Sequence, residues 1–279
     1  MNRHCKLLSW WVAQLSPPRN QAASGGSAWR ERWKPVDVCS VYLGIACPMA
    51  NEVDNCVSFV RSLLNQCDRF PFRRLRFFVV IDGASTDGTR ALLEDEARSE
   101  PRLEVVWAPE NRCVVDAYVR GYQTALAAGC DWILEIDAGF SHDPADAPQF
   151  FETMLQGYDC VFGTRFGRGG RCEEASFKRR FISRAGTVLT NLLLGTRLSD
   201  MTSGYELFTR EALAMVLARG IRSRAHFFQT EIKVFCRRLR CAEVPIKYSC
   251  PSPRLSTAAV LEALGRLMGL FRERLAGVL

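Results

Sequence analysis

The chain has 279 residues, 48% of them hydrophobic, and a formal charge of +7, enough apolar material for one sizeable core or a core with an appendage. No apolar run approaches the roughly 18–20 residues that crossing a bilayer takes. The twelve cysteines lack a CxxC spacing or a signal peptide and so argue against a disulfide framework, and three histidines (His4, His142, His226) argue against a His-built zinc site. The moderate positive charge suits phosphates, anionic headgroups or nucleic acid without choosing among them. Reduced thiols in a cytoplasmic setting are the expectation.

The first 36 residues hold Pro17-Pro18, Gly25-Gly26 and no sustained period, as expected of a poorly ordered extension. Within it SWWVAQL (9–15) could touch a membrane interface, although a plain tail is the simpler reading. From residue 38 onward apolar runs alternate with helical patterns. Strands are predicted over 41–47, 77–81, 103–107 and 132–136, and helices over 52–64, 87–97 and 116–128. Continuous apolar strands between helices indicate a parallel sheet covered on both faces, an α/β doubly wound domain whose ligands sit beyond the carboxyl ends of the strands. The alternation continues with strands over 159–163, 205–209 and 242–248 and a long helix over 177–194. The last segment, 256–279, spaces Val260, Leu261, Leu264, Leu267, Met268, Phe271 and Leu275 helically among Arg266, Arg272 and Arg274. An amphipathic basic helix of this kind packs on a core or lies on a membrane surface.

Three strand ends carry polar punctuation: CPMANEVDN (47–55), IDGASTDGT (81–89) and EIDAGFSHDP (135–144). In a parallel sheet these ends share one edge, so Glu52, Asp82 and Asp137 could converge on one ligand. Each also has a plain reading, since Asn51 and Asp87 suit helix N-caps and Gly83 and Gly88 suit tight turns. The stretch GTRFGRGGRCEEASFKRRFISR (163–184) sets seven cationic side chains against two glutamates. Its glycines suggest a mobile loop. In the helix that follows, Arg179 and Ser183 share a face, as do Arg180 and Arg184, an arrangement suited to gripping phosphate.

With PMANE (48–52), DGASTDGT (82–89), DAGFSHDP (137–144), GTR (163–165), KRRFISR (178–184), SDMTSGY (199–205), FQTE (228–231) and EVPIKY (243–248) in this order, the chain resembles the family 2 glycosyltransferases of GT-A fold. Within them it resembles the polyprenyl (dolichyl) phosphate mannose synthases. That resemblance implies a mostly parallel, mixed sheet over 37–255, with the helix of 256–279 after it. It implies that Pro48, Ala50, Glu52, Ile81, Asp82 and Ala138 surround a nucleotide-diphosphate sugar such as GDP-mannose or a UDP-hexose. It also implies that Asp137 holds a divalent metal, Mg²⁺ or Mn²⁺, and that Arg165, Arg179, Ser183 and, less securely aligned, Arg254 bind phosphates. The acceptor would be a polyprenyl phosphate, reached at the cytoplasmic membrane face by the chain itself or through an anchoring partner, with no nucleic acid involved.

The chain departs from the family pattern where it matters. Gly139 stands at the usual second metal carboxylate and Gly83 at the usual second aspartate of the nucleotide turn. NRCVVDAY (111–118) replaces a glycine-rich element, and CPSP (250–253) lacks an expected arginine. Asp137 with the donor diphosphate could hold the metal, helped by Asp143. A phosphate monoester is largely ionised at neutral pH, its second pKa being about 6, so an inverting transfer needs no strong base and no well-placed histidine is expected. A hydroxyl-directed transferase would want a base, for which Glu231 is the candidate, and a silent nucleotide-sugar or anionic-lipid binding module is the reading that the two glycines favour.

Overall fold

The computed structural model describes residues 35–172, 177–249 and 257–279, with the side chains of residues 177–179 outside that description. Arg254 and the Arg179 side chain, both expected to bind phosphate, therefore lie beyond the described residues, as does SWWVAQL. Val36 already donates to the Leu155 carbonyl, and Asp37 caps a 3₁₀ turn at Val38–Ser40 through the Cys39 amide.

Four parallel strands form the first half of the sheet: β1 (Tyr42–Pro48), β2 (Arg74–Ile81), β3 (Leu103–Trp107) and β4 (Trp132–Glu135). Helices α1 (Cys56–Cys67), α2 (Thr89–Ser99) and α3 (Val114–Ala127) connect them. After α4 (Ala147–Met154) and β5 (Cys160–Thr164) the chain makes a two-residue strand β6 (Arg171–Cys172) and the long α5 (Phe177–Leu194). It continues through β7 (Glu206–Thr209), α6 (Arg210–Arg219), α7 (Phe227–Phe235), β8 (Cys241–Pro245), β9 (Lys247–Tyr248) and α8 (Thr257–Leu275). The seven-stranded order is β3-β2-β1-β4-β7-β5-β8, with β7 antiparallel to both neighbours, while β6 and β9 pair separately.

Side-chain alternation splits each central strand between two cores. Leu43, Ile45 and Cys47 face the core built with Phe59, Leu63, Phe150 and Phe151 of α1 and α4. Tyr42 and Ala46 face the other, built with Tyr118 and Tyr122 of α3, Leu213 of α6, Phe228 of α7 and Leu267 and Leu270 of α8. The sheet is thus covered on both faces, as continuous apolar strands require. One face of α8 is spent on the core. The other leaves Leu261, Leu264 and Met268 exposed.

The element boundaries depart from expectation where caps decide them. Asn51 is no N-cap: α1 begins only after Asn55, and Asn51 adopts φ 57° while its side chain binds the Ala84 carbonyl and the Thr86 amide of the facing loop. Asp87 does cap from just outside α2, accepting from the amides of Thr89 and Val53. Asn51 and Asp87 therefore tie the first two strand-end loops together.

Candidate active site

One cavity of about 890 Å³ opens at the carboxyl ends of β1, β2 and β4. At one end it meets Pro48, Ala50, Glu52 and Asp82; Asp137, Ala138 and Arg165 line its middle. At the other end α5 and α8 wall it with Ile182, Ser183 and Leu189 facing Val260, Ala263 and Leu264. The structure thus brings Glu52, Asp82 and Asp137 to one cavity, with Arg165 and Ser183 beside them. It does not bring Ile81, whose side chain alternates into the core and is fully buried; Val80, one residue earlier, lines the cavity instead.

Asp137 is held on one side and faced by an imidazole on the other. Tyr118 of α3 donates its hydroxyl to Oδ1, and burial, reinforced by the Asp137 charge, pushes that phenol well above its ordinary value, so it remains a donor. On the other side Nδ1 of His142 lies 3.4 Å from Oδ2. A well-placed histidine is therefore present after all. The imidazole is buried between the rings of Tyr205 and Tyr248, and burial lowers its pKa to about 4 against the pull of Asp137, so it is neutral at pH 7. Nothing local in the sequence marks His142, because its burial comes from residues more than sixty positions away. Tyr118 was hidden in the segment that departs from the family pattern.

Arg165 corrects the expectation of a mobile cationic loop. It stands at the end of β5, 8% exposed, and forks onto Asp200 through Nε (2.8 Å) and Nη2 (2.9 Å), with Thr202 Oγ1 also on Nη2. Nη1 keeps no hydrogen bond among the described residues. The glycine-rich segment folds back through Gly170 N to Gly167 O, and β6 pairs with β9. Asp200 is positioned in turn by α5: Thr187 Oγ1 accepts from the Met201 amide, and Asn191 donates to the Leu198 carbonyl. One rigid chain of contacts therefore links α5, which carries Ser183, to Arg165. Two further candidates are spent elsewhere. Asp143 caps a 3₁₀ turn through the Ala145 amide. Glu231, fully buried, accepts from the amides of Arg222 and Ser223 and from Arg266, joining α7 to α8, and lines no part of the cavity.

Behind Asp137 lies an acidic cluster that the sequence reading did not find. Glu135 and Glu206 face each other across β4 and β7, both fully buried. Tyr122 donates to Glu135, and Lys233 pairs with Glu206. Burial raises Glu135 well above the carboxylate range, with the Glu206 charge adding to it. Burial likewise raises Glu206 to about 7, although Lys233 opposes it. Asp200 goes the other way: burial would raise it, but the Arg165 guanidinium prevails and holds it at about 2.

These opposed shifts give a pH signature. The Asp200 contribution is present above its unfolded pKa near 4 and lost as pH falls towards 2, an effect of about 2 kcal/mol. The raised Glu206 contributes stability below about 4.5 that is lost as pH rises through 7. The thermal unfolding midpoint, followed by circular dichroism, should therefore peak near pH 4 and fall on both sides. A midpoint that rises steadily from pH 5 to 8 would contradict this charge arrangement.

Comparison with known proteins agrees with this geometry. The family model described as Glycosyl transferase family 2 matches residues 45–217. The chain belongs to glycosyltransferase family 2. It is similar to an undecaprenyl-phosphate mannosyltransferase of Micrococcus luteus, 31% identical over 172 residues, which are 61% of this chain and 70% of that protein. It is also similar to a polyprenol monophosphomannose synthase of Mycolicibacterium smegmatis, 26% identical over 205 residues, 72% of this chain and 75% of that protein. Among solved structures, glucosyl-3-phosphoglycerate synthase of Mycobacterium tuberculosis with UDP superposes with a TM-score of 0.61 at 18% identity, covering 90% of this chain and 86% of that one. The same synthase with Mn²⁺, UDP-glucose and phosphoglyceric acid gives a TM-score of 0.57 at 20% identity, over 88% and 86%. The glycosyltransferase thus has the GT-A fold expected from its motifs. Among the described residues no helix is long and apolar enough to cross a membrane.

Proposed function

We propose that this glycosyltransferase moves a hexose, most simply mannose, from a nucleotide-diphosphate sugar to a polyprenyl monophosphate with inversion at the anomeric carbon. The observation that carries the reading is the shape of the cavity. Its polar end, at Glu52, Asp82 and Asp137, runs without interruption past Arg165 and Ser183 into an apolar cleft between α5 and α8. A sugar hydroxyl acceptor would have no use for that cleft, whereas an isoprenoid chain would bury apolar surface in it. The outer sides of the same helices expose Leu192 at 74% and Leu261 at 64%, and Arg180 and Arg184 lie alongside on α5. This surface suits the headgroup region of a cytoplasmic membrane face. The two relatives named for polyprenyl-linked mannosyl transfer support the same acceptor class.

In this reading Pro48, Ala50 and Asp82 would hold the donor nucleotide, and Arg165 Nη1, Ser183 and the neighbouring Arg179 would bring up the acceptor phosphate. A phosphate oxygen attacks the anomeric carbon from the side opposite the diphosphate. The new carbon–oxygen bond forms as the old one breaks, and the electron pair leaves with the nucleoside diphosphate. The acceptor is already ionised, so positioning two anions in line is the main task. His142, neutral and buried, has no proton to take from it.

The acidic end of the cavity fits a divalent cation, Mg²⁺ or Mn²⁺. Asp137 Oδ2 makes no hydrogen bond among the described residues, with only the neutral His142 imidazole beside it, and the Glu52 carboxylate likewise has no hydrogen-bond partner among them. Among the described residues no three Asp, Glu, His or Cys side chains gather at one point, so the donor diphosphate would complete the coordination. When bound, the cation offsets charge on the leaving diphosphate.

Arg179→Ala tests the acceptor half. Transfer to polyprenyl phosphate should fall at least about a hundredfold while donor affinity, read by calorimetry, stays unchanged. Loss of donor binding with normal acceptor saturation would overturn the assignment, as would wild-type transfer to the corresponding polyprenol.

A further inference from the structure

Gly139 stands two residues after Asp137, in a left-handed conformation with φ 73°, and has no side chain to offer a ligand. The space in front of it is nevertheless filled with negative charge. A Cβ built on Gly139 would lie 2.7 and 2.8 Å from the two carboxylate oxygens of Glu52, which reaches across from the loop after β1. Of the neighbouring acids, Asp87 is consumed by the amides of Val53 and Thr89, and Asp82 accepts from the Ala84 amide. Glu52 differs. Only its backbone is engaged, its amide donating to Thr89 Oγ1 and its carbonyl accepting from Cys56 N. Its half-buried carboxylate has no hydrogen bond or ion pair among the described residues. A second group awaits a partner in the same cavity: His142 is 1% exposed, neither ring nitrogen makes a hydrogen bond, and Nδ1 faces Asp137.

We infer that Glu52 supplies the second carboxylate of the cation site, standing in space where a side chain at residue 139 would otherwise project. The acid pair that grips the donor's divalent cation is then Asp137 and Glu52, from the loops after β4 and β1, rather than two acids one residue apart. A half-buried carboxylate without a partner is costly to keep, and a hard cation satisfies it with oxygen ligands of the kind Mg²⁺ and Mn²⁺ prefer. The glycine is then a requirement, because any side chain at 139 would displace the Glu52 carboxylate. The inference rests on the proposed use of a nucleotide-diphosphate donor.

The test reads the cation directly. Full-length protein is titrated with Mn²⁺, with and without GDP or UDP, and free Mn²⁺ is followed by its electron paramagnetic resonance signal. Glu52→Gln should weaken Mn²⁺ by about tenfold or more in the presence of the nucleotide, since even a lost partner of a metal ligand costs that much. Nucleotide affinity without metal should be unchanged. Gly139→Ala, which leaves Glu52 in place but pushes its carboxylate aside, should show the same loss in a protein that still unfolds cooperatively, with a melting temperature lowered only by the strain of alanine in a left-handed backbone. The pair Glu52→Ala with Gly139→Asp, which clears the space and restores an acid at 139, should regain most of the lost affinity; aspartate is among the residues that tolerate a left-handed backbone. Wild-type Mn²⁺ binding by either single variant would overturn the inference. So would an equal loss of metal-free nucleotide binding by Glu52→Gln, which would make Glu52 a nucleotide contact, or no rescue by the double variant. Neither sugar nor acceptor is present, so these outcomes stand apart from whether hexose reaches a polyprenyl phosphate.

Discussion

Replacing Arg165 with alanine should cost the protein about 3–5 kcal/mol of stability and abolish transfer, because it leaves the Asp200 charge buried without a counterion. Asp200 is fully enclosed, and its one ion pair among the described residues is the Arg165 fork, backed by the Arg165 and Thr202 amides and the Thr202 hydroxyl. Thr202 also loses a donor to its hydroxyl, and the chain of contacts from α5 to β5 loses its last link. The two consequences can be separated. Arg165→Ala combined with Asp200→Ala removes both charges and should recover much of the stability in urea denaturation, yet transfer should remain absent because no guanidinium faces the cavity. Arg165→Lys should be intermediate in stability, keeping a charge without the fork. A single alanine variant that unfolds within about 1 kcal/mol of wild type would mean that the ion pair is solvated.

Asp137→Asn should move activity and stability in opposite directions. Transfer should fall at least about a hundredfold, the size seen when one preorganised electrostatic group is removed from an active site. Stability should hold or rise, because Asp137 raises the cost of ionising both buried glutamates behind it, and asparagine keeps the Tyr118 hydrogen bond without the charge. Tyr118→Phe tests how much of the effect is orientation: it frees Oδ1 but leaves the charge, so its loss of activity should be well below that of Asp137→Asn. The expected pattern is a functional site that holds one more negative charge than the fold prefers. Equal losses of melting temperature and activity in Asp137→Asn would instead make Asp137 a structural residue.

Much of this was legible in the sequence, for reasons that can be traced. β1 to β4 are buried on both faces and so read as unbroken apolar runs, and α5 was placed at its observed limits by its flanking pattern. Asp82, Asp137 and Ser183 could be located because strand ends and helix faces are local properties. The helices α4, α6 and α7 were not predicted. α4 has only eight residues and a proline in its first turn, too short a stretch to establish a period in the sequence; α6 buries only Ala212, Leu213 and Val216; and α7 buries its polar residues Gln229, Thr230, Glu231 and Lys233 along with its apolar ones, which a hydrophobic pattern cannot foretell. β6 has two residues and forms by pairing with β9, which the strand predicted over 242–248 ran together with β8. The buried set of Glu135, Glu206 and Lys233 was invisible because its members are neighbours only through the antiparallel pairing of β4 with β7 and the packing of α7. Glu52 was assigned to the nucleotide by its motif; its proximity to Gly139 belongs to the tertiary structure alone.

The most direct measurement is a transfer assay with GDP-mannose and UDP-glucose, each offered against a polyprenyl monophosphate and the matching polyprenol, with Mg²⁺ or Mn²⁺. The account predicts a polyprenyl phosphate hexose of inverted anomeric configuration from the monophosphate alone, and no product from the alcohol. Transfer to the alcohol, or donor binding without turnover under either metal, would contradict it.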